Sequence, residues 1–393
     1  MQPSVDLNAA PPLGAPARAL PPDLTPLLGP HTREVAVLGA GLMGRLMAWT
    51  LARAGLPVSL YEAGGPQAEG AAARVAAAML APLAESAVAD LSVVRMGQYA
   101  LGRWPELLAG LSQPVFFQRE GTLIVWHRQD RQEAQRFEHW LQGTSRQEPS
   151  LPSARPLDAD HLAALEPALA GRFSQGLYLP DEGQLDNRAL LDALLHGLSE
   201  VGVDLHWHSP QTLDSLASDP QRCVLDCRGI GAREHWPGLR AVRGEVVRLH
   251  APDVPLSRPT RLIHPRYPIY IAPKPGHVFV VGATEIETED FSPVSVRSTL
   301  ELLSAAYTVH PGFAEARILE LNSQCRPTLP DHQPALCQRG PNVLQINGLY
   351  RHGFMIAPAL LDVACAWLQH GDTSLAQRLG VPLGQAPALA MSH

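Results

Sequence analysis

Two short apolar runs near the start of the chain flank a segment with helical periodicity. Residues 35–38 are apolar, rich in valine and end at a glycine turn, which is typical of a buried parallel strand. Residues 43–54 carry apolar side chains at helical spacing until Gly55, and residues 58–61 form the second apolar run. This order predicts a β-α-β unit and therefore a parallel sheet with a helix packed on it.

The middle of the chain has a different pattern, in which short strands dominate. Residues 269–271 and 278–281 flank Pro273-Lys274-Pro275-Gly276, which is typical of a hairpin turn. Further predicted elements are strands at 121–126 and 223–225 and helices at about 187–198 and 358–369. We therefore expect a mostly antiparallel domain inserted between parts of the first one.

Composition supports two domains and excludes some classes of partner. The chain has 393 residues, which is longer than a single hydrophobic core usually serves. Of these residues, 46% are apolar and 18% are charged. A net charge of -7 without a basic stripe argues against nucleic acid as a partner. No run of apolar residues is long enough for a membrane span. Five scattered cysteines predict reduced thiols in a cytoplasmic protein.

The turn after the first predicted strand carries a glycine motif. Gly39, Gly41 and Gly44 fit GxGxxG between a strand and a helix, and Glu62 stands at the tip of the second strand, 18 residues after Gly44. Such a turn presents backbone N–H groups and a helix N-terminus to a pyrophosphate, and the carboxylate can accept hydrogen bonds from a ribose. The motif predicts a dinucleotide and leaves FAD and NAD as alternatives.

A series of short motifs extends from this turn to the last predicted helix. It comprises Ala76-Ala77-Ala78-Met79-Leu80, Arg243-Gly244-Glu245, Tyr270-Ile271-Ala272-Pro273, Val281-Gly282-Ala283-Thr284, Arg326-Pro327 with Asp331, and Gly348-Leu349-Tyr350-Arg351-His352-Gly353. In this order the series resembles the D-amino acid oxidase superfamily of flavoproteins, and within it the glycine oxidase type of thiamine biosynthesis. The resemblance spans roughly residues 34 to 369.

The resemblance implies noncovalently bound FAD. Ala78 stands where the family usually has glycine, and Ala72, Ala73 and Arg74 stand where small hydroxyl residues are common. Gln324, not Cys325, stands where some amine oxidases attach the flavin. The loop 353–356, which precedes a predicted helix start at Ala357-Pro358, could stabilise negative charge on the flavin through its N–H groups and the positive end of the helix. The predicted cofactor-binding residues are Gly39, Gly41, Leu42, Met43, Gly44, Glu62, Ala63, Ala72, Ala73, Ala77, Ala78, Met79, Gly353, Phe354 and Met355.

Three residues are candidates for the substrate site. A guanidinium is a planar fork that matches a carboxylate, and the resemblance implies that Arg326 binds the carboxylate of an amino acid. It also implies that Arg351 lines the active site and that Tyr270 can donate a hydrogen bond to the same carboxylate. Arg351 could instead brace its turn, Tyr270 could be a packing residue, and the role of Glu285 is open.

No metal site is predicted from the remaining polar residues. His206 and His208 would share one face of a strand without a third ligand, and Cys223 and Cys227 have no second pair.

The predicted fold is of the α/β class, with a Rossmann-type FAD-binding domain interrupted by a mostly antiparallel α+β substrate domain. The predicted segments are a disordered leader at 1–33, the FAD-binding domain at 34–110, 187–240 and 326–375, the substrate domain at 111–186 and 241–325, and a tail at 376–393.

The resemblance implies FAD-dependent oxidation of glycine or a similar small amino acid. Hydride leaves Cα for the flavin, an imine remains that could serve thiamine thiazole synthesis, and dioxygen becomes hydrogen peroxide. The alternatives are a sarcosine or D-amino acid oxidase or dehydrogenase, a flavin-dependent tRNA-modifying enzyme and a noncatalytic electron-transfer subunit. The sequence is compatible with a homo-oligomer and leaves the exact amine and the electron acceptor open.

Overall fold

The computed structural model describes residues 26–29 and 31–386. The strands are β1 (Glu34–Leu38), β2 (Val58–Tyr61), β3 (Met79–Leu80), β4 (Phe117–Gln118), β5 (Thr122–Trp126), β6 (Arg155–Asp158), β7 (Gln175–Leu179), β8 (Gly183–Leu185), β9 (Asp204–His206), β10 (Arg222–Asp226), β11 (Arg240–His250), β12 (Thr260–Ile263), β13 (Ile269–Lys274), β14 (Val278–Gly282), β15 (Arg317–Thr328), β16 (Ala335–Arg339), β17 (Val343–Asn347) and β18 (Leu383–Ala386).

The α-helices differ widely in length, and the two longest, α4 and α10, pack on each other. The helices are α1 (Leu42–Arg53), α2 (Ala72–Val75), α3 (Pro82–Glu85), α4 (Leu91–Ala109), α5 (Arg131–Gln147), α6 (Ala159–Leu165), α7 (Asn187–Glu200), α8 (Leu213–Ala217), α9 (Val296–Val309), α10 (Gly353–His370) and α11 (Ser374–Leu379).

The first sheet is mostly parallel and carries the predicted β-α-β unit. Its order is β18-β16-β17-β10-β1-β2-β9, and only the pair β16–β17 is antiparallel. In β1, Val35 and Val37 point into the large apolar core that α1, α4 and α10 complete, which explains the continuous apolar run. The prediction of a Rossmann-type sheet is confirmed.

The second sheet is mostly antiparallel, as predicted, with the order β15-β11-β14-β13-β12-β5-β7-β6 and one parallel pair, β12–β5. The predicted hairpin is β13–β14, but its turn is shorter than the sequence indicated. Pro273 and Lys274 belong to β13, opposite Phe279 and Val278. Lys274 is buried because its ammonium group has acceptors inside the protein, so the turn begins only at Pro275.

The first sheet takes strands from 34–61, 204–226 and 335–347, and the second takes strands from 122–179 and 240–328. This distribution supports the predicted discontinuous domains, which stay a prediction. β18 continues the first sheet inside the segment predicted as a tail. Within residues 26–29 and 31–386, no helix is both long and apolar enough to cross a membrane.

The end of the predicted leader packs on the protein. Leu27 is buried in the core, and the backbone N–H of Leu28 donates to the carbonyl of Leu368 at 2.9 Å. The rest of the leader, residues 1–25 and 30, lies outside the described residues, as do residues 387–393 of the tail.

The last long helix begins five residues earlier than the sequence predicted. Pro358 has no N–H and cannot donate to the carbonyl of Phe354, which would normally end the helix there. The indole N–H of Trp104 in α4 donates to this carbonyl instead, at 2.9 Å. The helix therefore runs through Pro358, and Gly353, Phe354 and Met355 form its first turn.

Replacing Trp104 with Phe should cost about 1–2 kcal/mol more than replacing Trp367 with Phe, because only the first change leaves a buried carbonyl without a donor. Both indoles are fully buried, and the Trp367 N–H has no hydrogen-bond partner among the described residues. The two variants thus lose similar volume but differ in one hydrogen bond. Urea midpoints measure the difference, and equal losses would show that the bond does not carry the helix past Pro358.

Candidate active site

A deep cleft of about 1150 Å³ lies between the two large sheets. Its wall includes the turn after β1, the segment from Ala68 to Met79, parts of β13 and β15, and the first turn of α10. Every predicted cofactor residue lines it except Gly44, and so do Arg326, Arg351 and Tyr270. The structure thus brings the predicted residues together in one cavity, at the carboxyl end of β1 where open α/β sheets bind their ligands.

The three glycines of the turn do different things. Gly39 has φ +90°, and a Cβ there would lie 2.9 Å from the carbonyl oxygen of Cys227. A Cβ on Gly44 would lie 1.7 Å from the carbonyl oxygen of Gly39, so Gly44 lets α1 pack on the turn. A Cβ on Gly41 would meet only the Ala71 Cβ, at 3.8 Å, and would project into the cleft. The open space beside Gly41 fits the approach of a pyrophosphate to the backbone.

Glu62 holds the same turn from the tip of β2. Its carboxylate accepts hydrogen bonds from the backbone N–H groups of Ala40, at 2.6 Å, and Gly64, at 2.9 Å. Each oxygen keeps capacity for a further donor, so the predicted contact with a ribose stays a prediction that the geometry permits.

Arg45 is a buried residue of this region that the sequence analysis missed. Its guanidinium donates to the carbonyls of Ala40, Leu191 and Pro66 at 2.6–2.7 Å. Burial lowers the pKa of Arg45 to about 10, so it stays charged at neutral pH. It ties the glycine turn to two distant segments. A cation on the apolar stripe of a helix is the only feature of the sequence that could have indicated it.

The alanine segment 72–79 reaches the cleft through its backbone. Ala78 has φ +52°, a conformation that favours glycine and explains the residue usual in the related family. The amide of Asn187 donates to the carbonyls of Ala73 and Arg74 at 2.9 and 2.8 Å. Lys274 donates to the carbonyls of Ala77 and Leu185, at 2.8 and 2.7 Å, and burial lowers its pKa to about 7.

Phe354 and Met355 serve both the core and the cleft. Their side chains are buried, and both residues belong to the cleft wall. Because α10 starts at Gly353, the first-turn N–H groups lie at the cleft, where they lack helical partners. We therefore still expect the N-terminus of this helix to stabilise negative charge on a bound group, with the helix beginning at Gly353 and not at Pro358.

Tyr270 and Arg326 converge over the middle of the second sheet. Tyr270, on β13, lies across Gly282 of β14, where a Cβ would come within 2.7 Å of its hydroxyl oxygen. Arg326, on β15, lies across Gly244 of β11, where a Cβ would come within 2.2 Å of a guanidinium nitrogen. Because β11 and β14 are neighbours, the two side chains lean toward each other, and the two glycines make the room.

The Arg326 guanidinium has only neutral partners among the described residues. It donates to the carbonyls of Thr284, at 3.1 Å, and Arg243, at 3.5 Å, and no described carboxylate forms an ion pair with it. The Tyr270 hydroxyl has no hydrogen-bond partner in the described part of the chain, and burial raises its pKa, so it stays protonated at neutral pH. Both groups are free to bind an anion.

Arg351, by contrast, is held by two carboxylates. Its Nη1 donates to Glu285 at 2.9 Å, and its Nε lies 3.1 Å from an oxygen of Glu85. Glu285 also accepts a hydrogen bond of 2.5 Å from the Tyr350 hydroxyl. Arg351 therefore lies in the cleft wall and braces it at the same time, and both readings from the sequence describe part of what it does.

Glu85 is the centre of an ionic cluster that the sequence analysis also missed. Burial alone would raise the pKa of Glu85, but the charges of Arg261 and Arg351 hold it far below its usual range. Arg261 donates to the second oxygen of Glu85. His352 lies 3.5 Å away, and burial lowers its pKa to about 4, so it is neutral at pH 7. These partners come from distant segments, which no sequence pattern links.

The turn after β10 also lines the cleft. Cys227, Arg228 and Gly229 belong to the wall, and Arg228 pairs with the buried Asp226 at 2.8 Å. In the sequence, the indication of this part of the wall is the glycine that follows the apolar strand β10.

The two predicted histidines do not share a strand face, because β9 ends at His206 and His208 has φ +52°. Among the described residues, no group of three His, Cys, Asp or Glu side chains could hold a metal ion. The five cysteines are unpaired.

Comparison with known proteins gives consistent similarities. The model of the FAD dependent oxidoreductase family (DAO) matches residues 34–366. A putative thiamine biosynthesis oxidoreductase of Rhizobium etli is 41% identical over 83% of this chain and 94% of that protein. A glycine oxidase of Geobacillus kaustophilus is 25% identical over 84% of this chain and 90% of that protein.

A solved structure of glycine oxidase from Bacillus cereus has a TM-score of 0.71 at 20% identity, over 86% of this chain and 94% of that one. At this identity the likeness concerns the fold.

Replacing Gly44 and Gly41 with Ala should have opposite consequences. Gly44→Ala forces a side chain against the Gly39 carbonyl and should destabilise the apoprotein by roughly 1–3 kcal/mol. Gly41→Ala should change apoprotein stability by less than about 1 kcal/mol but weaken FAD binding about tenfold or more, since its methyl group enters the cleft. Urea unfolding and flavin titration separate the two effects. Tight FAD binding by Gly41→Ala would contradict the placement of the pyrophosphate.

Lys274→Met should lower stability by roughly 2–4 kcal/mol, because several buried acceptors lose their donor. The loss should depend on pH. The pKa of Lys274 falls from 10.5 to about 7 on folding, so between pH 7 and 9 the unfolded chain binds more protons. Wild-type stability should therefore rise relative to Lys274→Met by about 1 kcal/mol per pH unit. Denaturant midpoints across this range test it, and a pH-independent difference would show that Lys274 keeps its proton.

Proposed function

The chain belongs to the family of FAD-dependent oxidoreductases, and on that premise we propose that it oxidises the C–N bond of glycine or a similarly small amino acid. The cleft fits FAD: it offers a glycine turn with open space at Gly41, a carboxylate at Glu62 and the first turn of α10. When bound, FAD supplies the hydride acceptor for the substrate Cα and the route for electrons to dioxygen.

The observation that carries the proposal is the Arg326 guanidinium, half-buried in the cleft with only backbone carbonyls as partners. A guanidinium removed from bulk water is favoured by a counter-ion. No described carboxylate forms an ion pair with Arg326, although the charge of Glu285 interacts with it at longer range. The carboxylate of an amino acid fits this need, with two oxygens matched to the planar fork.

Tyr270 adds a second donor on the same face of the sheet. Its protonated hydroxyl can donate to the same carboxylate, which together with Arg326 would fix both the position and the rotation of the substrate. A carboxylate clamped at two points presents one Cα–H direction to the cofactor, and this orientation is the main contribution that the protein can make to the rate.

Similarity to proteins named glycine oxidase and thiamine biosynthesis oxidoreductase supports a small amino acid as the substrate. We infer that the imine product serves the synthesis of the thiamine thiazole. The amine must be neutral to react, and the proposal requires no acid–base residue in direct contact with Cα.

Glycine should reduce the flavin of the purified protein in the absence of oxygen, and Arg326→Ala should slow this reduction about a hundredfold or more. Breaking one side of a desolvated ion pair costs roughly 3–5 kcal/mol. The flavin spectrum of the variant should stay unchanged. Arg326→Lys should recover part of the rate, since an ammonium cannot make the two-pronged contact.

The matched control is Arg297→Ala, which removes an arginine at the cleft rim that pairs with Glu301 and is 73% exposed. Its rate should stay close to that of the wild type. An amine without a carboxylate should react slowly with the wild type and lose little more in Arg326→Ala. If Arg326→Ala instead releases FAD, or if both kinds of amine slow equally, the carboxylate role is wrong.

A further inference from the structure

We propose that Glu285 occupies a second carboxylate-binding position in the cleft and thereby restricts the site to amino acids with a single carboxylate. This inference rests on the proposed function, because it concerns which substrates the Arg326 site admits.

The position has the geometry of an anion site. The Tyr350 hydroxyl and Arg351 Nη1 converge on the two oxygens of Glu285, at 2.5 and 2.9 Å. A hydroxyl and a guanidinium that donate hydrogen bonds to the two oxygens of Glu285 could equally donate them to the carboxylate of a ligand. Arg326 and Tyr270 offer the same pair of donors to the substrate. The cleft therefore contains two similar carboxylate-binding positions, and the carboxylate of Glu285 occupies one of them.

The position that the Glu285 carboxylate occupies faces the cleft. The Glu285 side chain is 43% exposed, whereas that of Glu85, the other partner of Arg351, is only 13% exposed. Glu285 is the third residue after β14 and follows Thr284, whose carbonyl accepts a hydrogen bond from Arg326. Its carboxylate is thus the one that a ligand could replace, while Glu85 stays with Arg261 and Arg351 in the wall.

The charge balance agrees with this assignment. Glu85 pairs with Arg261 and Arg351, Glu285 pairs with Arg351, and His352 is neutral. Arg326 has no ion pair among the described residues, and one substrate carboxylate would supply it. The charges of Arg351 and Arg326, with the hydrogen bond from Tyr350, hold the pKa of Glu285 below its usual range despite partial burial. Glu285 therefore stays ionised and repels a second carboxylate.

The test measures ligand binding to the FAD-loaded full chain through perturbation of the flavin spectrum. The probes are malonate, succinate and glutarate, each beside its monoamide, which has nearly the same size but one carboxylate. In the wild type, each monoamide should bind at least as tightly as its dicarboxylate. Glu285→Ala removes the carboxylate that occupies the second position. In this variant at least one dicarboxylate should bind more tightly than its monoamide, by about tenfold or more.

Glu285→Gln removes the charge but keeps the volume, so it should shift the same ratio in the same direction by a smaller factor. The matched control is Glu287→Ala, two residues along the chain, where the carboxylate pairs with Arg240 and does not line the cleft. This variant should keep the wild-type ratio.

If neither Glu285 variant changes the ratio for any of the three lengths, Glu285 only braces Arg351 and the inference is wrong. If Glu285→Ala loses FAD, the ratio in Glu285→Gln decides. The probes carry no oxidisable amine, so these results do not depend on whether glycine reduces the flavin. Failure of that reaction would reject the proposed substrate and leave the binding preference measurable.

Discussion

Buried arginine and lysine side chains that donate to backbone carbonyls hold the walls of the cleft. A loop that lines a cavity cannot pair its carbonyls within a sheet or helix, and a carbonyl buried without a donor is costly. Arg45 resolves this for the glycine turn, where it donates to the carbonyl of Ala40 at 2.7 Å, and it ties the turn to Leu191 and Pro66. Lys274 does so for the alanine segment, through the carbonyl of Ala77. These segments are irregular yet fixed because each has a long donor side chain from a regular element.

The two ends of the cleft use different means to attract negative charge. At the end near β1 the means are backbone N–H groups and a helix N-terminus, which carry only partial charges and suit a phosphate that remains partly solvated. At the other end the means is Arg326, a full charge among neutral acceptors. A full charge gains most from a single compact counter-ion. The two means would suit different groups: the pyrophosphate of a dinucleotide near β1, and a small acid at Arg326.

Local periodicity was sufficient to predict the β-α-β unit and its glycine turn, because the two apolar runs and the helical stripe lie within residues 35–61 and Gly44 packs against Gly39, five residues earlier. The mixture of parallel and antiparallel sheets followed from the same patterns. The start of α10 could not be predicted, because the donor that allows the helix to pass Pro358 is Trp104, about 250 residues earlier. Lys274 and Glu85 were missed because their partners lie far away in the sequence, and Arg45 was missed although its place on the apolar stripe of α1 was an indication of burial.

Arg326 and Arg351 show how the surroundings decide what one residue type does. Both were candidates because each stands beside motifs of the same family, and both line the same cavity. Arg351 follows a turn that points it between Glu85 and Glu285, so its charge is already neutralised within the protein. Arg326 lies flat over Gly244 on a strand whose neighbours offer only carbonyls. A side chain at residue 244 would take that space, so Gly244 is required for Arg326 to reach the position in which we propose that it binds a carboxylate.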